Sequence, residues 1–380
     1  MSTLWSCQMV GGSSLSLKGV LYSSQSASSL SRELTWKNSR CRINRVGTRN
    51  SRIFASMHRK MEDIRVFVVS DLHTDYAENM AWVNCISSTS HQDDILLVAG
   101  DVAETYDRFT LTMSILTNKF KHVFYVPGNH DLWCRKEKKD FLDSLDKLDA
   151  LLRACDELGV ESRPLIIGNL GFIPLFSWHH ESFDTEQDIT GLRVPSLKMV
   201  CKDFHACRWS AELCDRDDSL ARHFDAMNER HAHTIQEIQR KCEKVITFSH
   251  FVPRLDLCPE KRMLFYPNLP KIIGSSFLEA RIRSIHGAEG SKAACHVFGH
   301  THFGWDATLD GIRYVQAPLA YPREQKRNMN GGHGWLPFNL YSDGRFSERQ
   351  QFYWSDYYSV NSRTPDNLEL APWVAKLYKR

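Results

Sequence analysis

The chain from residue 64 to residue 178 alternates short, almost wholly apolar runs with stretches of helical pattern. Apolar runs of this length predict strands buried on both faces, and intervening helices make the connections between them parallel. The predicted strands are IRVFVVS from Ile64, ILLVAGD from Ile95, HVFYVPG from His122, and two shorter runs near Leu165 and over 171–178. The predicted helices cover 78–88, 108–119 and 138–158.

The pattern changes after residue 178. Residues 179–245 interrupt the alternation as an insertion that is irregular, polar and acidic up to about 218. The insertion then ends in one predicted long helix, for which Ser219 is the expected N-cap. Four strand-like runs follow with few helices between them: VITFSHF, CHVFGHTHF, GIRYVQAP and PFNLYS. A parallel first half and a strand-rich second half predict an α/β fold of two sheets with helices outside.

Composition separates the first 60 residues from the rest. They hold ten Lys and Arg residues against the single acid Glu33, and they hold 14 serines. A serine-rich, basic and acid-poor start with no early charge is typical of a plastid transit peptide. We therefore expect a transit peptide over 1–56, processed near RIFASM, and a soluble chloroplast protein. The alternatives are a mitochondrial location, a cytosolic form starting at Met61, or a basic arm that binds RNA or a membrane.

The other 320 residues carry 38 basic and 44 acidic side chains, a net charge of −6. This acidic balance disfavours long nucleic acid as a partner. Eleven cysteines occur without a C-x-x-C pair, so neither a zinc knuckle nor a disulfide framework is indicated. No apolar stretch approaches the ~18–20 residues that span a bilayer, so no membrane partner is expected.

Polar residues gather where the predicted strands end, which is where open α/β folds place their sites. The stretch VFGHTHFGW shows the pattern: His300 and His302 follow an apolar run, and in extended backbone both would point to one side. Such a pair suggests a metal, although it also fits a polar strand end. Equivalent positions after the other strands supply Asp71, His73, Asp101, Glu104, Asn129, His130 and His250.

The motifs DLH, GDVAE, GNHD, SH and GHTH, in this order, resemble the five motifs of the calcineurin-like metallophosphoesterases over residues 64–317. GNHDLW and QAPLAYPRE are also similar to plant members of that superfamily. The resemblance implies a four-layer α-β-β-α sandwich of two mixed sheets with a two-metal site at the strand ends. It implies that Asp101 bridges the two ions, and that His130 protonates the leaving group. The implied ligands are Asp71, His73, Asp101 and His302 for one ion, and Asp101, Asn129, His250 and His300 for the other.

The chemistry of these donors agrees with that assignment. Three oxygen donors and four imidazoles suit Mn, Fe or Zn better than Ca or Mg. Two such ions with two aspartates and a bridging hydroxide leave a charge of +1, which attracts a phosphate whose phosphorus the hydroxide attacks.

Further residues are candidates for supporting roles. Glu104 occupies the position where relatives carry the acid that orients His130, or it is only a first-turn helix residue. Arg254, Arg323 and Tyr321 are candidates for substrate binding, with surface charge and loop packing as the alternatives. His179 and His180 follow a strand end and either enter the site or lie on the surface.

These observations predict a metal-dependent hydrolase of small phosphomonoesters, phosphodiesters or nucleotide-like compounds. Thr105 stands where the Ser/Thr protein phosphatases carry arginine, which disfavours that activity. The alternatives are a nuclease and a non-catalytic scaffold on the same fold, although such a scaffold lacks the histidine that is present here as His130. The expected domain covers residues 62–345, and a C-terminal extension covers 346–380. The oligomeric state is left open.

Overall fold

The computed structural model describes residues 64–287, 294–332 and 334–378; the predicted transit peptide lies outside the described residues. The strands are β1 Val66–Val69, β2 Ile95–Ala99, β3 His122–Val126, β4 Val160–Glu161, β5 Leu165–Ile167, β6 Leu170–Pro174, β7 Lys244–Phe248, β8 Ala294–Phe298, β9 Trp305–Leu309, β10 Ile312–Gln316, β11 Phe338–Ser342 and β12 Arg345–Phe346. The α-helices are α1 Ala77–Cys85, α2 Tyr106–Thr117, α3 Ser144–Leu158, α4 Leu197–Val200, α5 Asp203–Ala206, α6 Ser219–Asn228, α7 Ala232–Lys241, α8 Ser276–His286, α9 Pro322–Gln325, α10 Tyr353–Val360 and α11 Pro372–Tyr378.

The strands form two mixed sheets, with antiparallel pairs at one edge of the first sheet and at both edges of the second. The first sheet has the order β12-β11-β1-β2-β3-β4, and β1 to β4 run parallel. The second has the order β5-β6-β7-β8-β10-β9, and β6, β7, β8 and β10 run parallel. The parallel strands of both sheets therefore end at common edges, where their following loops can meet.

Alternation of side chains along the central strands explains the layering. In β2, Ile95 and Leu97 pack between the two sheets, whereas Leu96 and Val98 pack against the helices outside. Between the sheets, Phe124 of β3 and Phe172 of β6 stack with ring centroids 4.9 Å apart. Because both faces of each sheet are covered, the central strands read as continuous apolar runs. The predicted four-layer α-β-β-α sandwich is confirmed.

Several predicted elements differ from the structure. The long helix expected after Ser219 is two helices, α6 and α7, separated by a 3-10 turn over Glu229–His231. The break follows Asn228, whose buried side chain bonds both the N–H and the carbonyl of Phe176 at 2.9 Å. Ser219 is not the N-cap either. Asp218 holds that position, and the Ser219 hydroxyl accepts a bond from the Cys214 N–H.

Other boundaries also move. The charged helix expected from Lys138 starts six residues later as α3, because the Asp143 carboxylate caps it by accepting from the N–H groups of Leu145 and Asp146. The pattern also missed strand β9, which begins two residues after the GHTH segment and pairs antiparallel with β10, with Asp306 opposite Val315.

Residues beyond β12 contact the second sheet. Trp354 of α10 and Val374 of α11 are buried in the cluster that includes Trp305 of β9. The Trp373 indole N–H donates to the carbonyl of Met263 at 3.0 Å. In the described ranges, no helix combines the length and the apolar character needed to cross a membrane.

Candidate metal centre and active site

Seven polar side chains meet where parallel strands of the two sheets end. Loops after β1, β2 and β3 supply those of the first sheet, and loops after β7 and β8 supply those of the second. All seven are buried, with at most 7% of any residue exposed. The seven are Asp71, His73, Asp101, Asn129, His250, His300 and His302. The structure thus brings together the whole predicted ligand set.

The backbone at these residues is not extended, so the expected alternation along HTH is wrong. The φ angles of His300 and His302 are +78° and +59°, and those of Asp71, His73 and Asp101 lie between +43° and +56°. This left-handed region is unusual for residues other than glycine, and the strain it stores is typical of functional sites. The left-handed turns bend each loop back over the end of its strand, where the side chains converge.

One set of donor atoms consists of the side chains of Asp71, His73, Asp101 and His302, which lie close enough to share a single metal ion. Nε2 of His302 lies 3.0 Å from Nε2 of His73 and 3.4 Å from Oδ1 of Asp71. Oδ2 of Asp101 lies 3.7 Å from Nε2 of His73. Spacings of this size are those of donors around one ion with bonds near 2.1 Å.

A second set adjoins the first and shares Asp101 with it. Oδ1 of Asp101 lies 3.4 Å from Nε2 of His250. That nitrogen lies 3.1 Å from Oδ1 of Asn129, which is 3.0 Å from Nδ1 of His300. Each carboxylate oxygen of Asp101 therefore faces a different set.

The second ring nitrogen of three of these histidines is held by the protein. His250 Nδ1 bonds the carbonyl of Ala99 at 2.9 Å, and His300 Nε2 bonds that of Ile272 at 3.0 Å. His302 Nδ1 lies 2.6 Å from Oε2 of Glu324. Such partners fix the ring orientation and leave the other nitrogen free for a metal. Glu324 was not predicted, although it lies in the QAPLAYPRE stretch that the family resemblance had drawn attention to.

Burial shapes the protonation of the site. It lowers the pKa of His73 well below its usual value, with His130 and His302 adding to the effect. Burial and the neighbouring His250 lower the pKa of His300 to about 3. Neutral imidazoles are the form that binds metals.

The carboxylates of Asp71 and Asp101 make the site favourable for positive charge. Burial, followed by the charges of Asp131 and Asp71, raises the pKa of Asp101 well above its usual range. Burial pulls the pKa of His302 down, but Glu324 and Asp71 raise it to about 10. The buried carboxylates of Asp71 and Asp101 repel each other, and Asp71 favours a proton on the His302 ring. Bound cations would stabilise such an arrangement. The donors present therefore suit divalent metal ions.

His130 lies beside this centre. Its Nε2 is 3.9 Å from Oδ2 of Asp101 and 3.2 Å from the hydroxyl of Tyr321. Its ring stacks on Trp133 with centroids 3.6 Å apart and planes at 27°. The predicted pairing of His130 with Glu104 is wrong. The Glu104 carboxylate instead bonds the Arg135 guanidinium and lies 2.9 Å from Nζ of Lys136. Both cations belong to the loop after β3, which passes beside Glu104.

The predicted substrate-binding residues divide into two groups. Tyr321 and Arg323 line the cavity that opens onto the donors, together with Tyr76 and Lys202, which the sequence did not single out. Arg254 does not line it. Its guanidinium lies 2.6 Å from Asp310 and 3.1 Å from Asp256, so three-dimensional neighbours satisfy its charge elsewhere, and the prediction for Arg254 is wrong.

The sandwich and the metal-ligating centre define a metal-dependent phosphoesterase, a hydrolase of ester bonds. Residues 64–304 match the profile of the calcineurin-like phosphoesterases, and the chain belongs to this family. It is 27% identical over 283 residues to the acyl-carrier-protein phosphodiesterase PptH of Mycobacterium tuberculosis, covering 71% of this chain and 82% of that protein. The crystal structure of the M. tuberculosis phosphopantetheinyl hydrolase PptH shares the fold, with a TM-score of 0.54, 23% identity, and coverage of 74% of this chain and 99% of that one.

Proposed function

We propose that the chain is a two-metal phosphodiesterase. The observation that carries this proposal is the placement of Asp101, whose two oxygens face two different donor sets. One ion would be held by Asp71, His73, Asp101 and His302, and the other by Asp101, Asn129, His250 and His300. The imidazole-rich sets suit Mn, Fe or Zn.

The bound ions would supply a water of lowered pKa and neutralise charge on the phosphate. The chain's own residues supply the rest. His130 lies next to the centre and outside both donor sets, where it can give a proton to the leaving oxygen. Tyr321 bonds its Nε2 and Trp133 stacks beneath its ring, so the imidazole is aimed. Arg323 and Lys202 line the same cavity and add positive charge for an anionic substrate.

As the substrate we propose the phosphodiester that joins phosphopantetheine to a carrier protein, by likeness to the M. tuberculosis phosphodiesterase. The surface beside the cavity supports a macromolecular anion as substrate. Arg135 lies over the Trp133 ring, 4.6 Å from its centroid, and opens a loop that exposes Lys136, Lys138 and Lys139. In a protein whose residues beyond 60 are net acidic, these cations attract an acidic partner to the site.

The metal assignment is tested by elemental analysis of protein purified without chelator. Wild type should hold two ions per chain, and chelation should abolish hydrolysis until Mn, Fe or Zn is returned. Asp101→Asn should lower occupancy of both ions, whereas His73→Asn should mainly lower one. Equal metal loss in both variants would contradict the sharing of Asp101.

The substrate is tested by incubating the metal-loaded protein with a phosphopantetheinylated carrier protein and with small alkyl diesters, aryl esters and single-stranded oligonucleotides. Release of phosphopantetheine should exceed turnover of the small alkyl diesters. Faster cleavage of the oligonucleotides would favour the nuclease alternative, and faster cleavage of small monoesters would overturn the carrier-protein proposal.

We also propose that residues 62–345 form the catalytic domain with the 179–245 insertion and the 346–380 extension attached, and that residues 1–56 direct the protein to plastids. The composition of the first 60 residues supports this targeting. A fluorescent fusion of residues 1–60 should enter plastids; import into mitochondria, or uniform cytosolic fluorescence, would refute it.

A further inference from the structure

Asp203 is a buried carboxylate in the insertion that contacts the site from outside the two donor sets. It is the first residue of α5, and 4% of it is exposed. Its Oδ1 accepts two hydrogen bonds, from Nδ2 of Asn129 at 2.8 Å and from the indole N–H of Trp133 at 2.7 Å. Its Oδ2 accepts from the Cys201 thiol and lies 3.4 Å from Nε2 of His179.

The first of these bonds decides which way the amide of Asn129 faces. A carboxylate can only accept, so it selects the NH₂ group of Asn129 and turns the amide oxygen the other way. That oxygen then points at Nε2 of His250 and Nδ1 of His300, at 3.1 and 3.0 Å. An amide oxygen can bind a metal there, and an amide NH₂ cannot.

The second bond reaches the proton donor. The indole that Asp203 holds is the ring on which His130 stacks at 3.6 Å. Oδ1 of Asp203 therefore holds both the amide of Asn129 and the Trp133 ring on which His130 stacks.

We propose that Asp203 is a positioning residue that orients Asn129 toward one metal ion and Trp133 beneath His130. The inference rests on the proposed two-metal site, because it assigns Asn129 to one ion. It also gives the insertion a role, since the helix that carries Asp203 comes from residues outside the alternating strands and helices.

The test measures metal binding in the absence of substrate. The variants are made in a Trp133→Phe background, because the indole N–H can only donate and would otherwise hold an acceptor oxygen of residue 203 toward Asn129. In that background the amide of Asp203→Asn can donate to Asn129, so the orientation of the Asn129 amide is no longer selected. Affinity for one ion should fall by about 10- to 100-fold, while the ion near His73 stays bound. His205→Ala is the matched control, because His205 is exposed on the same helix. This control should bind both ions as wild type does.

A reciprocal exchange separates positioning from a general loss of structure. Asn129→Asp alone sets two carboxylates against each other and should also lose the ion. The double variant Asn129→Asp with Asp203→Asn restores a donor–acceptor pair with the polarity reversed and leaves a carboxylate oxygen for the metal. It should recover affinity relative to Asp203→Asn. Additive losses in the double variant would overturn the proposal, whether or not either single variant is less stable.

Two further outcomes are decisive. Wild-type binding of both ions by Asp203→Asn would refute the orienting role. A third ion per chain that disappears in Cys201→Ser would show that His179, Cys201 and Asp203 ligate a metal themselves, which would also overturn it. Failure of the wild type to cleave the carrier protein would refute the proposed substrate. The metal-binding results would still stand, because they are measured without substrate.

Discussion

The partner of His130 offers the sharpest test of the reaction chemistry, because sequence and structure name different residues. Glu104 was expected to orient the ring, whereas the structure gives that contact to the hydroxyl of Tyr321, 3.2 Å from Nε2. Tyr321→Phe deletes this hydroxyl and keeps the aromatic ring. Glu104→Gln deletes a charge that, in the described part of the chain, contacts Arg135 and Lys136.

The size of each effect follows from the contacts. Removing His130 with His130→Ala should slow turnover of substrates with poor leaving groups by ~10²–10⁴-fold, the usual contribution of a general acid. A neutral hydrogen bond contributes about 0.5–1.5 kcal/mol, so Tyr321→Phe should slow the same substrates by about 2- to 10-fold. Glu104→Gln should leave the rate close to that of wild type, because the Glu104 carboxylate contacts Arg135 and Lys136, which lie outside both donor sets.

The assay compares kcat on an alkyl diester, whose leaving group needs a proton, with kcat on a p-nitrophenyl ester, whose leaving group does not. The defects of His130→Ala and Tyr321→Phe should shrink on the aryl ester, and both proteins should keep wild-type metal content. A leaving-group-dependent loss in Glu104→Gln, or an equal loss on both substrates in Tyr321→Phe, would refute the reasoning.

Three other variants probe residues outside the two donor sets. Glu324→Gln weakens the partner that holds His302 Nδ1 at 2.6 Å and should lower affinity for one ion by about 10- to 100-fold in a chelator competition. Lys138→Glu with Lys139→Glu should reduce kcat/KM for a carrier protein at low salt by about tenfold and leave kcat/KM for small esters unchanged. Equal losses on both substrates would show that this loop does not bind the carrier protein. Arg254→Ala should leave KM for every substrate unchanged, because the Arg254 side chain is paired with Asp310. A raised KM would show that Arg254 contacts the substrate after all.

The seven candidate metal ligands could be predicted because each follows a recognisable strand. Asp71 and Asp101 end apolar runs that the structure shows as the parallel strands β1 and β2, and parallel strands deliver their loops to one edge. The resemblance to the calcineurin-like metallophosphoesterases then implied how they divide between two ions. Only distances showed that the two oxygens of Asp101 face different donor sets.

The residues that support these ligands could not be found in this way. Asp203 lies in an irregular insertion with no periodic pattern, and Glu324 lies 22 positions after the histidine it contacts. Arg254 shows the converse error: it follows a ligand-bearing strand, but its charge is satisfied by Asp310 in the β9–β10 turn. Position after a strand places a residue near the edge of a sheet, and the direction of a long side chain depends on partners distant in sequence.

The loops that carry the ligands hold one another in place, which explains how left-handed backbone persists at five of these residues. Each such residue costs on the order of 1–3 kcal/mol, so surrounding contacts must fix it. The carboxylate of Asp71 accepts the N–H of His300 at 2.9 Å, and this bond joins the two sheets across the centre. Asp131 accepts the N–H groups of Asp101 and Gly128 at 3.0 and 2.9 Å, joining the loops after β2 and β3. These bonds tie the backbone of the ligand-bearing loops to one another, which offsets the cost of the left-handed conformations.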